Sequence, residues 1–101
     1  WGFAGDYVRA MWLMLQQPTP QDFVIATGVT YPLADFVAET FQCLGLDWRQ
    51  HVISDPSLMR PTDLRISRAD PALAASVLGW RATSHMPDVV RAMVDAALAD
   101  E

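Results

Sequence analysis

The stretch Asp22-Phe23-Val24-Ile25-Ala26-Thr27-Gly28 is a continuous apolar run between polar and turn residues. Such a run is typical of a strand that is covered on both faces, as strands are in parallel sheets. Helical patterns flank it on both sides, and strands that alternate with helices are typical of α/β proteins. The run therefore predicts an α/β fold in which residues 22–28 form a buried, parallel strand.

Upstream of this run, residues 5–17 carry apolar side chains at helical spacing, and Pro18 and Pro20 end the pattern because proline disfavours helical backbone before it. We expect an amphipathic helix whose broad apolar stripe packs in a core or an interface. The stripe comprises Tyr7, Val8, Met11, Trp12 and Leu15.

Downstream, a second helix is predicted to begin near Thr30, which suits the N-cap position, and to end at Gly45, which supplies a left-handed stop. A short strand is predicted around residues 51–53. A third helix begins at Asp70-Pro71 and ends at Gly79, and the next residue, Trp80, is expected to fold its ring back onto that helix.

A fourth helix is predicted with Ser84 as its cap and Pro87 in its first turn. The pattern thus contains four helices but only one convincing strand and one weak strand. Two short strands cannot form an independently stable sheet, because a buried parallel strand needs neighbouring strands. We therefore expect these elements to complete a larger α/β protein. A sharp, cooperative thermal transition of the monomeric 101-residue chain, without binding of the dye ANS, would contradict that hypothesis.

Composition excludes several classes of protein. The chain has a net charge of −5 and no lysine, and its seven arginines are scattered, so a nucleic-acid partner is not expected. Cys43 cannot form an internal disulfide, and His51 and His85 lack metal-ligand spacing, so no metal site is predicted. No apolar run is long enough for a membrane span.

The most pointed chemical feature is Arg60, on a proline-stiffened stretch three positions before Asp63. A guanidinium matches a phosphate bidentately, and a nearby carboxylate accepts hydrogen bonds from the hydroxyls of a sugar. The pair therefore suits a nucleotide diphosphate and its ribose. The alternative is a surface ion pair between the two side chains, which contributes little to stability.

A second candidate is Thr30, because the run Ala26-Thr27-Gly28-Val29-Thr30-Tyr31 turns from a strand end into a helix start. Ligands of open α/β sheets bind beyond strand ends, and helix N-termini attract anions. The alternative is that Thr30 only caps the helix. No G-x-G-x-x-G fingerprint occurs, so no dinucleotide site is predicted, and no residue is assigned as catalytic.

Six motifs follow one another along the chain: Trp1-Gly2-Phe3-Ala4-Gly5-Asp6-Tyr7-Val8, Ala10-Met11-Trp12-Leu13-Met14-Leu15-Gln16, Asp22-Phe23-Val24-Ile25-Ala26-Thr27-Gly28, Arg60-Pro61-Thr62-Asp63, Asp70-Pro71 and Leu78-Gly79-Trp80. Taken in this order, they resemble the C-terminal third of the GDP-mannose 4,6-dehydratase family, whose members are extended short-chain dehydrogenases/reductases. The segment from Trp1 to Gln16 is specific to these dehydratases among sugar-nucleotide enzymes.

The resemblance implies a cytoplasmic, homo-oligomeric enzyme with two lobes. An N-terminal Rossmann lobe, absent from this chain, holds NADP and the catalytic residues, and residues 1–101 are the C-terminal substrate-binding portion. The family converts GDP-mannose to GDP-4-keto-6-deoxymannose and water, in the biosynthesis of deoxysugars such as GDP-fucose. The resemblance assigns Arg60 to the diphosphate and Asp63 to the ribose, and it implies that the fragment alone is inactive and binds no cofactor.

Two departures from the family pattern bear on the site. Position 63 is aspartate where the family more often has glutamate, and Pro32 and Asp35 replace a Ser-x-x-Glu capping box after Thr30. Two other functions remain open at this stage. One is a related sugar-nucleotide reductase or epimerase of the same superfamily, and the other is a non-enzymatic helical interaction module.

Overall fold

The computed structural model describes residues 1–100, in which four α-helices are joined by irregular segments. All four predicted helices form, with ends that differ from the predicted ones by a few residues. Two three-residue 3₁₀ turns, Trp48–Gln50 and Pro56–Leu58, lie between the second and third helices. The helices are α1 (Ala4–Leu15), α2 (Leu33–Gln42), α3 (Ala72–Leu78) and α4 (Met86–Ala99).

Neither predicted strand forms within residues 1–100. Residues 22–28 run as a single irregular segment, with Phe23 and Ile25 packed on the core while Val24 is 51% exposed. Within residues 1–100 the segment is thus covered on one face, whereas the sequence predicted cover on both faces. A strand exists only through hydrogen bonds to a neighbouring strand, and the described residues supply none. Residues 51–53 are exposed and likewise form no strand.

The main core forms where α1 and α3 meet. Its centre is Trp80, which is fully buried and packs with Ala74 and Leu78 of α3, as the sequence predicted. Ala10 of α1 is also fully buried, which lets the two helices approach closely. The indole Nε1 of Trp80 donates a hydrogen bond of 2.9 Å to the backbone oxygen of Asp6, so the core is tied to the first turn of α1.

The apolar stripe predicted for α1 lies largely outside this core. Val8, Met11 and Trp12 are 59%, 59% and 60% exposed, and Leu15 is 82% exposed. The buried residues of α1 are instead Asp6 and Ala10. The helical period was predicted correctly, and Tyr7 of the stripe packs on the core. The rest of the stripe has no cover within residues 1–100, so its packing in an interface stays a prediction.

A second group of contacts joins α2 to α4 and to the Trp48–Gln50 turn. Met86 and Val90 are the buried residues of α4. Phe41 of α2 stacks on His51, with ring centroids 5.3 Å apart and an interplanar angle of 4°. His51 therefore has a packing role. The ring of Trp1 packs on the ring of Phe36, with centroids 5.0 Å apart.

The helix ends confirm some predicted caps and correct others. The Asp70 carboxylate accepts a hydrogen bond from the Ala72 amide at 2.9 Å, and Gly79 ends α3 with a φ of +66°, as expected. Thr30 does not cap α2, whose N-cap residue is Pro32. Ser84 does not cap α4 either, since His85 occupies that position and its amide donates to Asp88 at 2.9 Å.

The chain is flat and open. Its Cα radius of gyration is 17.1 Å and its extents are 53 × 38 × 18 Å. A self-contained domain of this length has a radius of gyration of roughly 13 Å. Within residues 1–100, no helix has the length and apolar character that crossing a membrane requires.

Candidate functional site

The segment before Arg60 is held by a local aspartate cap. The Asp55 carboxylate accepts hydrogen bonds from the Ser57 amide at 2.9 Å and the Ser57 hydroxyl at 2.7 Å, which starts the Pro56–Leu58 turn. The bonds from Ser57, the hydroxyl first, lower the pKa of Asp55. Asp55 therefore stabilises the turn that precedes Arg60 in the chain.

Arg60 and Asp63, the two predicted contact residues, lie side by side. Nη2 of Arg60 is 2.7 Å from Oδ1 of Asp63, and the Leu64 amide donates to the same oxygen at 2.9 Å. The hydrogen bond from Arg60, followed by its positive charge, lowers the pKa of Asp63. The two side chains are 71% and 61% exposed, so they form the surface ion pair that the sequence analysis gave as the alternative to ligand binding.

This pairing leaves functional groups of both side chains available. Oδ1 of Asp63 takes both hydrogen bonds, whereas Oδ2 has no partner within residues 1–100. A guanidinium has five N–H donors, and a single one is used by Asp63. The remaining donors suit an anion and the free carboxylate oxygen suits a hydroxyl. The contacts to diphosphate and ribose themselves stay predictions.

Thr30, the third predicted site residue, joins two segments of the chain. Its hydroxyl donates to the backbone oxygen of Ser67 at 2.9 Å, which holds residues 28–32 against residues 65–68. A cavity of about 750 Å³ lies between these segments and includes Arg65 and Arg68 in its lining. Sequence reasoning missed these two arginines, although three of the chain's seven arginines fall within residues 60–68.

Asp6 is a buried charge in the first turn of α1. It is 5% exposed, and its carboxylate accepts from the Thr83 hydroxyl at 2.6 Å and from the Thr83 and Ser84 amides at 3.0 Å each. These bonds, the hydroxyl's above all, lower its pKa although burial opposes them. Asp6 thus ties α1 to the connection between α3 and α4.

The described residues do not fit a dinucleotide cofactor or a metal ion. Gly28 has a φ of +80°, but α2 begins only at Leu33, behind Pro32, which has no amide hydrogen to offer a phosphate. Within residues 1–100 no group of three metal-ligating side chains is found. No step of the chemistry is therefore derived through a cofactor held by these residues.

Comparison with known proteins places the chain in the class of short-chain dehydrogenases/reductases, whose fold is of the Rossmann type. A family model described as "GDP-mannose 4,6 dehydratase" matches residues 1–93, and the chain belongs to that family. The α/β fold class is thus supported at the level of the family, although residues 1–100 contain only helices and irregular segments.

Several curated relatives match nearly the whole chain. GDP-mannose 4,6 dehydratase 1 of Arabidopsis thaliana is 43% identical over 98 residues, which cover 97% of this chain and 27% of that protein. GDP-mannose 4,6 dehydratase of Homo sapiens is 36% identical, with 95% and 30% covered, and that of Vibrio cholerae is 33% identical, with 97% and 34% covered. The chain thus spans about a third or less of their lengths.

Proposed function

We propose that the chain is the C-terminal, GDP-sugar-binding portion of an enzyme that converts GDP-mannose to GDP-4-keto-6-deoxymannose and water. Family membership supports the reaction, and the relatives' greater length supports a further lobe. The observation that carries the binding role is the Arg60–Asp63 pair, held at 2.7 Å on an exposed loop with unused donors and an unused acceptor.

In this proposal Arg60 binds the diphosphate through the guanidinium donors that Asp63 leaves free. Oδ2 of Asp63 accepts hydrogen bonds from the ribose. Asp63 also orients the guanidinium, since the two groups are already in contact before a ligand arrives. Binding energy from this remote part of the substrate helps to orient the sugar at the reacting centre.

The rest of the enzyme is proposed to lie in an N-terminal Rossmann lobe. NADP would supply hydride transfer there, and the catalytic residues would belong to the same lobe. Residues 1–101 alone are therefore expected to be inactive and to bind no cofactor. Homo-oligomerisation, a cytoplasmic location and a place in deoxysugar biosynthesis belong to the same proposal.

The test is titration calorimetry on the full-length protein that carries this chain, with GDP-mannose and UDP-glucose as ligands. Arg60→Gln should weaken GDP-mannose binding by about 1.5 to 3 kcal/mol, because charge-assisted hydrogen bonds have that strength. Arg49→Gln is the matched control, since Arg49 is also an exposed arginine and lies in the other 3₁₀ turn, Trp48–Gln50. Unchanged affinity in Arg60→Gln would refute the role of Arg60.

The two alternatives give different results in the same titration. Equal affinity for GDP-mannose and UDP-glucose would favour a related reductase or epimerase. The exposed apolar face of α1, which includes Trp12 and Leu15, is the feature that favours an interaction module. In that case neither nucleotide sugar would bind.

A further inference from the structure

We propose that the groove between residues 28–32 and residues 65–68 is a second anion site, which binds the phosphate group of a small molecule through Arg65 and Arg68. This groove is distinct from the Arg60–Asp63 pair, and neither of its arginines is assigned a role by the resemblance. The proposal therefore stands or falls independently of the proposed function.

The first argument is the charge of the groove. Its volume is about 750 Å³, and the charged side chains that line it are both arginines. Two adjoining cavities, of about 400 and 150 Å³, share Arg65 and Arg68 respectively, and neither has an acidic side chain in its lining. A groove of this volume can hold a small molecule, and cations as its charged groups suit a ligand that carries a negative charge.

The second argument is that neither arginine has a partner among residues 1–100. Among residues 1–100 the salt bridge found is that between Arg60 and Asp63, although the chain has twelve acidic residues. Neither guanidinium donates a hydrogen bond to another described residue. A phosphate in the groove would have two guanidinium groups in the lining from which to accept charge-assisted hydrogen bonds.

The third argument is that the walls of the groove are fixed before any ligand binds. The hydroxyl of Thr30 donates a hydrogen bond of 2.9 Å to the backbone oxygen of Ser67, which joins the two segments. At Gly28 the backbone turns with a φ of +80°, and a Cβ there would lie 3.3 Å from the Pro71 ring, so the turn is held close to the start of α3. Preformed walls reduce the ordering cost of binding.

The ligand class follows from these features. Phosphate accepts hydrogen bonds at several oxygens and matches the planar fork of arginine, whereas a neutral sugar would leave both charges without a counterion. The overall charge of −5 gives no general attraction for anions, so any affinity must come from the local pair.

The test is calorimetric titration with inorganic pyrophosphate of the full-length protein that carries Arg60→Gln, so that the diphosphate contact of the proposed function does not contribute. The ionic strength is about 0.15 M, where exposed charges are screened beyond roughly 8 Å. Arg65→Gln and Arg68→Gln should each raise the dissociation constant about tenfold, as expected for the loss of a charge-assisted hydrogen bond. Arg49→Gln removes the same charge at a different exposed position and should leave the constant unchanged.

Three results would overturn the proposal. One is no binding of pyrophosphate by the Arg60→Gln protein. Another is an equal loss in Arg49→Gln, which would indicate a general effect of net charge. The third is a loss in Arg60→Gln, relative to the unsubstituted protein, while Arg65→Gln and Arg68→Gln cause no further loss. That result would place the anion at Arg60 and leave the proposed function intact.

Discussion

Replacing Asp6 by alanine tests whether one buried carboxylate joins α1 to the α3–α4 connection. The substitution removes three hydrogen bonds, from the Thr83 hydroxyl and the Thr83 and Ser84 amides, at 2.6 to 3.0 Å. It also leaves two partly buried amides without an acceptor. Each unsatisfied donor costs about 1 to 3 kcal/mol, so we expect a loss of about 3 kcal/mol in the free energy of local opening.

Asp6→Asn is the matched variant. The side-chain oxygen of asparagine can accept from both amides, and its NH₂ group can donate to the Thr83 hydroxyl, which also accepts hydrogen bonds. The shape of the side chain and its three hydrogen bonds are thus retained, while the negative charge is lost. The expected cost is therefore smaller, about 1 kcal/mol, because the bonds are no longer charge-assisted.

The unsubstituted protein and Asp6→Asn should also differ in how far acid lowers their stability. The folded state lowers the pKa of Asp6 below its ordinary value of 3.8, so the unfolded state binds more protons in this range. The stabilisation by ionised Asp6 is complete above the unfolded pKa and is lost as the pH falls through the folded one. Asp6→Asn should lack this part of the acid-induced loss of stability.

Hydrogen exchange of the full-length protein measures the effect locally, because the Thr83 and Ser84 amides are themselves the donors. In Asp6→Ala their protection should fall about a hundredfold, the equivalent of roughly 3 kcal/mol. Arg91→Ala, at an exposed site on α4, is the control for a general effect of substitution. Protection of these amides within about twofold of the original in Asp6→Ala would refute the reasoning, since it corresponds to under about 0.5 kcal/mol.

Two further predictions concern the ends of α3. Asp70→Ala should destabilise the protein by about 1 kcal/mol in denaturant unfolding, because the Ala72 amide loses its 2.9 Å acceptor, and Asp70→Asn should restore most of the loss. Gly79→Ala should cost about 1 kcal/mol through its left-handed backbone alone, since no atom lies within 4 Å of the added Cβ. Gly45→Ala, with a φ of +71° and equally open surroundings, should cost the same, and a much larger effect at Gly79 would contradict a purely backbone cause.

Much of the local structure could be predicted from short-range chemistry. The Asp70 carboxylate and the left-handed Gly79 bound α3, and their action depends on neighbouring backbone groups only. Arg60 and Asp63 also meet as their spacing suggested, since three residues of loop bring a guanidinium within reach of a carboxylate. Thr30 was misassigned because the same hydroxyl can cap a helix or bind a distant carbonyl, and Ser67 lies 37 positions away.

The groove that Arg65 and Arg68 line could not be predicted from short-range chemistry. The groove at Arg65 and Arg68 exists because residues 28–32 fold against them, and no periodicity in either segment indicates that contact. What covers the α1 stripe could not be predicted for a related reason. A helix with apolar residues on much of its surface can be covered on either side, and its partner decides which.

The sequence by itself determined where the helices lie, which motifs carry the family resemblance and which side chains are candidates for binding phosphate or ribose. These properties depend on residue chemistry and on spacing over a turn or two. The tertiary structure alone decided that Asp6 is buried under Thr83, that Trp12 faces outward and that residues 22–28 form no strand. Each of these depends on what packs against a segment from far along the chain, and a strand in particular requires a partner that its own residues cannot supply.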